Sequence, residues 1–347
     1  MRSETTKALE SALIALDAVN TDHSSGDVVM AKCRALMRGY DARYHNIGYQ
    51  PVAVEKLYTA GLVNPETNRP SRSFTTAMKL DVLAERQGKR VLFDHKSTSD
   101  NIADPDGSFW RQLAIEGQVS HYMLILWHNG LKCDGAVWDV MRKPSIAPKK
   151  LTKAEMRSVV SLRKYFDQPV TIQNPERWDG RETYKMYESR LAWDCTKERP
   201  DHYFQRRPVP RLDSELLEYA GELWEHSQEL LHARNTNRHA RNSGACMLYG
   251  SPCKFLGICS GYDTPDSDKW VRKQQVHVEL PGLDGDGRDV ITNSRIRCFQ
   301  TCRRKEYFQY GLGIERVDEE EKEVLYFGHL WHLALAAWWE TYLPKET

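Results

Sequence analysis

The chain has 347 residues, 40% of them hydrophobic and 28% charged, enough for one large core or two modest ones. A net charge of +1 excludes a polycation, so a nucleic-acid site must be a local basic patch on a mixed surface. No apolar run approaches the roughly 20 residues that span a bilayer, and eight cysteines without an export signal point to a bound metal or cluster rather than disulfides.

The N-terminal stretch reads as an amphipathic helix over 4–19 rather than a signal peptide, and the expectation is a soluble, cytoplasmic protein. A second helix covers 27–44, with Asp27 as its N-cap. Residues 52–62 read as a strand ending at the turn-rich 64–70. Strands over 73–85 and 89–96 follow as antiparallel neighbours. Asp104-Pro105-Asp106-Gly107 makes a strong turn. From Phe109 to Trp127 apolar residues recur at helical spacing (Trp110, Leu113, Ile115, Val119, Tyr122, Met123, Leu126). Residues 136–140 form a further strand, followed by the basic, proline-punctuated loop RKPSIAPKK. Residues 151–235 are helix-rich and polar. Strands followed by helices define a mixed α/β class.

Chemistry concentrates in VLFDHKS, residues 91–97. Three apolar residues run into Asp94, His95 and Lys96, and period-two alternation puts Asp94 and Lys96 on one face with His95 on the other. A carboxylate beside an ammonium at the mouth of a buried strand can hold a divalent metal and handle a water next to it. The turn after residue 85 brings Asp81 near Asp94. Gln118 and Tyr122 share a face of the 109–127 helix one turn apart, and a buried Gln118 needs a polar partner.

Asp81, Asp94-His95-Lys96 and Gln118-x-x-x-Tyr122, in that order, resemble the core of the PD-(D/E)XK nuclease superfamily, closest to its RecB-like branch with iron–sulfur nucleases. Met78 stands where the family often has glycine. The resemblance implies a restriction-endonuclease-like fold, a mixed central sheet flanked by helices with a helical cluster-binding lobe. It also implies catalytic roles for Asp81, Asp94, Lys96, Gln118 and Tyr122. Glu55 resembles a further family acid.

Cys246, Cys253 and Cys259 lie in a turn-rich loop where three thiols can converge on one centre, although C-x6-C-x5-C matches neither a zinc finger nor a ferredoxin. Such a trio is similar to the cluster-binding tail of the RecB-like nucleases, whose fourth cysteine lies at the start of the domain. Here a start-like segment stands at the end of the chain: Ser294, Cys302, Arg304, Lys305, Tyr307, Phe308, Tyr310, Phe327, Gly328 and His332 match the family's opening motifs. This reads as a circular permutation, with 1–260 as nuclease core and cysteine-rich tail, 261–291 as linker, and 292–347 completing the same domain. A truncated second copy and a helical appendage are the alternatives. Cys298, Cys133, Cys33 and Cys195 compete with Cys302 for the fourth cluster position, and His329 and His121 compete with His332.

The resemblance therefore implies a metal-dependent DNA nuclease, of exonuclease type, in recombination or repair. Mg2+ or Mn2+ would sit on Asp81, Asp94, the His95 carbonyl and His332, and a [4Fe–4S] cluster, or Zn2+ in its place, on Cys246, Cys253, Cys259 and Cys302. DNA and a recombination protein are the implied partners, with no membrane association; the oligomeric state stays open. Arg142, Lys143, Lys149, Lys150, Arg206, Arg207, Arg211, Arg303, Arg304 and Lys305 could track a phosphate backbone, against a plain solvated face; Trp110 and Tyr203 could stack bases, with core packing the favoured alternative. A nuclease-like module that binds DNA or a partner without cutting is the rival reading, and an iron–sulfur redox protein a more distant one.

Overall fold

A computed structural model describes residues 6–19, 26–46, 48–277, 280, 287–317 and 323–344. In chain order, α1 (Lys7–Asp17) and α2 (Gly26–Tyr44) precede β1 (Gln50–Val54), β2 (Leu57–Val63), β3 (Pro70–Lys79), β4 (Val82–Arg86) and β5 (Lys89–Thr98). Then come α3 (Ser108–Ala114), α4 (Gly117–His128) and β6 (Gly135–Arg142). A small excursion carries α5 (Lys153–Leu162) and the hairpin β7 (Lys164–Tyr165) and β8 (Gln168–Pro169). It returns through α6 (Tyr184–Trp193) and α7 (Pro200–Tyr203) to β9 (Phe204–Val209) and the long α8 (Asp213–Asn235). The last third holds α9 (Leu256–Ser260), β10 (Trp270–Arg272), β11 (Asp289–Ile291), α10 (Asn293–Thr301), α11 (Arg303–Glu306), β12 (Ile314–Arg316) and α12 (Glu323–Glu340).

The main sheet has the order β1-β4-β5-β6-β9. Its neighbours are antiparallel except β5 and β6, which run parallel because α3 and α4 cross over between them. Alternating residues feed two cores, one on each face. Val82, Ala84, Phe93, Val137 and Met141 pack against α1, α2 and α12, whereas Leu83, Leu92, Ala136, Trp138 and Val140 pack under α3 and α4. The architecture is thus a mixed α/β sandwich, and no helix among the described residues is long and apolar enough to cross a membrane.

Three expected elements are each two. The 52–62 strand divides at Glu55, whose φ of +48° turns the chain out of β1 and into β2. The 73–85 strand divides at Leu80–Asp81, where the chain passes from β3 in a second sheet (β11-β3-β2) into β4 in the main one. The 109–127 helix breaks after α3; Ile115, expected on the apolar face, is 86% exposed. Two further departures concern strands inside regions read otherwise. β9 lies within the helix-rich 151–235, its alternation hidden by Arg206 and Arg207. In 261–291, β10 pairs with β12 and β11 pairs with β3.

α12 is a core element. Trp331, Trp338 and Trp339 are each 1% exposed, and burying a side chain of that size contributes on the order of 4–6 kcal/mol before ordering entropy is subtracted. Trp338 Nε1 also donates to Asp41 Oδ1 on α2 (2.9 Å). His332, on the same helix, is therefore carried by a rigid mount.

Candidate metal centre

Both strand breaks occur at one level of the molecule. Glu55 N–H donates to the Asp81 carbonyl (2.8 Å) and Leu80 N–H to the Lys56 carbonyl (3.0 Å), so the kinks lie side by side. β4 and β5 pair with Val82 opposite Phe93, which sets Asp81 just beyond the ladder, across from Asp94. The His95 N–H donates to Asp81 Oδ2 (2.6 Å). From α12, His332 Nδ1 comes within 3.5 Å of Asp81 Oδ1. Ligand atoms of Glu55, Asp81 and His332 all lie within 4.8 Å of one another, the one such group of three or more among the described residues. Two carboxylates and an imidazole are a donor set that fits Mg2+ or, with its nitrogen, Mn2+. Glu55 also pairs with Lys79.

Electrostatics agree with this grouping. Burial raises the Asp81 carboxyl, but the His332 charge and the His95 N–H outweigh it and hold it below the usual carboxylate range. His332 moves the opposite way: burial lowers it, and Asp81 more than compensates. Asp94 is 1% exposed; burial, with the Asp81 charge, raises its carboxyl against the pull of Lys96.

Asp94 and Lys96 share a face, as alternation requires. Asp94 Oδ2 meets Lys96 Nζ at 2.5 Å. Gln118, in the first turn of α4, bridges the pair: Lys96 Nζ donates to its Oε1 (2.9 Å), and its Nε2 donates to Asp94 Oδ1 (2.9 Å) and Tyr122 OH (3.1 Å). One amide thus fixes acid and amine. Asp94 lies outside the three-ligand group, both its oxygens engaged. Lys96 Nζ stands 5.2 Å over the Trp138 ring and keeps 26% of its side chain exposed.

The other face of β5 holds a network that sequence reading missed. His95 pairs in register with Asp139 on β6, and Asp139 with Arg206 on β9. His95 Nδ1 lies 3.2 Å from Asp139 Oδ2. Arg206 Nε donates to Asp139 Oδ1 (3.0 Å), Arg206 Nη2 to Oδ2 (3.1 Å), and Tyr40 OH to Oδ2 (2.5 Å). Burial would raise the Asp139 carboxyl, but Arg206 and His95 hold it far below the ordinary range. The signal was an acid inside the apolar run AVWDVM, which demands a cationic partner. Arg206 is accordingly a buried structural cation rather than a backbone-tracking one. Tyr203 and Trp110 take the core-packing role weighed against base stacking, buried at 1% and 6% exposure.

The competing histidines sit elsewhere. His329 is exposed on α12. His121 is fully buried, its Nδ1 3.1 Å from Tyr219 OH and its Nε2 3.4 Å from the Ala77 carbonyl. Burial lowers His121 to about 4, whereas an unfolded histidine titrates near 6.5. Between those values the unfolded chain binds more protons, so stability rises with pH there and is lost as pH falls from 6.5 towards 4, by about 3 kcal/mol in all. His121→Gln should flatten that acid limb in urea unfolding curves; parallel limbs in both proteins would refute the assignment.

The cysteine loop and the C-terminal segment are neighbours. Cys253 N–H donates to the Cys246 carbonyl (2.8 Å), Asn242 Nδ2 to the Thr301 carbonyl (2.9 Å), and Arg304 Nε to the His239 carbonyl (3.0 Å). Phe255, Phe308 and Ile314 form a small core against Cys253 and Cys259. Burial raises the Cys259 thiol, Arg304 opposes, and Cys302, Cys253 and Cys246 add to the rise. Cys298 is buried alongside, pushed up to about 12. Cys33, Cys133 and Cys195 lie in the cores on either side of the main sheet. Cys246, Cys253, Cys259 and Cys302 thus belong to one small lobe, with no three of their sulfurs within 4.8 Å of one another.

Against known proteins, no family model matches this chain, nor does any curated protein or solved structure.

Proposed function

We propose that this chain is a metal-dependent DNA nuclease of the PD-(D/E)XK type, RecB-like branch, with its segments in circularly permuted order. The observation that carries the reading is the approach of His332, from the far end of the polypeptide, to within 3.5 Å of Asp81, beside the Asp94–Lys96–Gln118 cluster. The permuted order is supported by α12 packing along α1 and α2, so that the last helix adjoins the first two in space.

Glu55, Asp81 and His332 would hold Mg2+ or Mn2+, with Asp94 beside them and held by Lys96 and Gln118. A cation held there would supply charge neutralisation at the phosphate and a more acidic water. Lys96, steadied by Asp94 and Gln118, contacts a phosphate oxygen and orients the attacking water. Tyr122 restrains Gln118. His95 donates its N–H to Asp81 and sets its Nδ1 3.2 Å from Asp139 Oδ2, so the strand bearing the site meets a carboxylate on each face.

The testing experiment is cleavage of labelled linear DNA with Mg2+, Mn2+ or EDTA. Metal should also stabilise the fold, by about 2.7 kcal/mol at a hundredfold excess over Kd. Asp81→Asn should abolish both the stabilisation and the cleavage; a wild type inert in every metal would leave only a non-cutting binding module. That second reading draws on Asp94, whose two oxygens are tied to Lys96 and Gln118.

Cys246, Cys253, Cys259 and Cys302 would hold a cluster that clasps the C-terminal segment to the loop. No three of these sulfurs lie within 4.8 Å of one another. Protein purified anaerobically should be brown and carry iron and sulfide; stoichiometric zinc in colourless protein would replace the cluster.

A further inference from the structure

Charge is unevenly spread along the chain. Residues 142–181 contain ten Lys/Arg against four Asp/Glu, a net +6, on a protein whose total is +1. This excursion between β6 and α6 is not a loose loop. Leu151, Val159, Tyr165 and Val170 form a small core with Met186 of α6. Glu182, its side chain fully buried, ties the excursion down: Arg190 Nε and Nη2 donate to it (2.6 and 2.7 Å), as do Tyr165 OH (2.6 Å) and the Lys149 N–H (2.8 Å). A Thr152–Glu155 capping box starts α5. The positive charge therefore sits on a preorganised lobe.

Its position is specific. In the parallel β5–β6 pair, Lys96 lies opposite Val140 and Thr98 opposite Arg142, so the chain leaves the sheet for the lobe at the same end where Lys96 is displayed. Lys143 Nζ reaches the Val324 carbonyl (3.3 Å) and the Phe327 ring (5.3 Å) on α12. Phe327 is five residues, about 7.5 Å along the helix, from His332.

The bases of the lobe are under-neutralised. Lys150 and Arg181 face each other across an isolated antiparallel bridge, where like charges repel. Asp179 meets Arg181 at 3.2 Å, but among the described residues no carboxylate pairs with Lys150, Lys153, Arg157 or Arg163, all exposed. Lys153 and Arg157, one turn apart, share a face of α5.

We infer that the 142–181 lobe is a nucleic-acid grip that holds the phosphate backbone beside the metal centre. An anion between Lys150 and Arg181 relieves their repulsion, and a polyanion running along Lys150, Lys153 and Arg157 does so repeatedly. The inference deepens the nuclease reading, on which the direction of the bound strand towards Lys96 rests, but binding itself needs no cleavage.

The test is the anisotropy of a fluorescein-labelled DNA duplex in EDTA, over a series of salt concentrations. Full-length Lys150→Gln/Lys153→Gln/Arg157→Gln protein is compared with Lys89→Gln/Lys132→Gln, altered at the opposite end of the sheet. The triple variant should lose at least roughly tenfold in affinity at low salt, and its log K against log salt slope should shrink by about 2–3 while the control keeps both. Unchanged affinity and slope, an equal loss in the control, or a wild type that binds no DNA would overturn the grip. Wild type that binds through the lobe yet cuts nothing with any metal would leave the grip standing and remove the nuclease.

Discussion

On the proposed nuclease reading, Asp94→Asn protein should lose roughly a thousandfold or more of its metal-dependent DNA cleavage while remaining as stable as the wild type. Asp94 is buried next to a second carboxylate, and the folded environment raises its own carboxyl, so the ionised form is held at a cost. Asparagine keeps an oxygen for Gln118 Nε2 and removes the repulsion with Asp81. Lys96, released from its partner, has an exposed side to turn into water. Lys96→Ala should cut activity by a similar factor, and Lys96→Arg should not restore it, because a planar guanidinium cannot occupy the point held between Asp94 Oδ2 and Gln118 Oε1. Rates and melting temperatures measured on the same preparations settle the matter. Cleavage retained by both Asp94→Asn and Lys96→Ala would end the assignment of this site.

The second large effect concerns stability. Arg206→Met should destabilise the protein by about 3–5 kcal/mol, because it strands Asp139 as a buried anion. Asp139 has a side chain 2% exposed, and Arg206 supplies its bidentate partner. The guanidinium also stacks 3.7 Å from the Tyr44 ring centroid, a contact methionine replaces only in part. Asp139→Leu combined with Arg206→Met should cost far less than the two single losses added, since the double variant buries no unpaired charge. Additive losses in denaturant unfolding would mean that the pair is not coupled as drawn. The network also backs β5 through His95, so on the proposed nuclease reading Arg206→Met protein that remains folded should cleave more slowly.

Much of the centre was legible from neighbouring residues. Alternation along VLFDHKS placed Asp94 and Lys96 on one face and His95 on the other, and the four-residue spacing of Gln118 and Tyr122 let one amide reach both Asp94 and the tyrosine hydroxyl. The helix breaks and strand breaks were not legible. Residues 52–62 and 73–85 look continuous because nothing local opposes extension; each breaks where its two halves join different sheets. Ile115 fits a helical apolar pattern yet is exposed at the joint between α3 and α4. β9 was hidden by Arg206, whose charge is acceptable in a buried strand only because Asp139 stands opposite.

By itself, then, the amino-acid order determined the local chemistry: which face of a strand carries an acid and an amine, which helix turn presents an amide, and which loop gathers thiols. Those properties follow from periods of two and 3.6 residues and act over a few positions. The resemblance had already set His332 beside Asp81 and named Glu55 as a further acid; tertiary structure alone decided that Glu55 reaches that pair, that Arg206 serves Asp139, and that β11 pairs with β3. Such meetings depend on the burial of whole elements, the tryptophan-rich α12 above all, and the energy that selects them is spread over a core far larger than any motif.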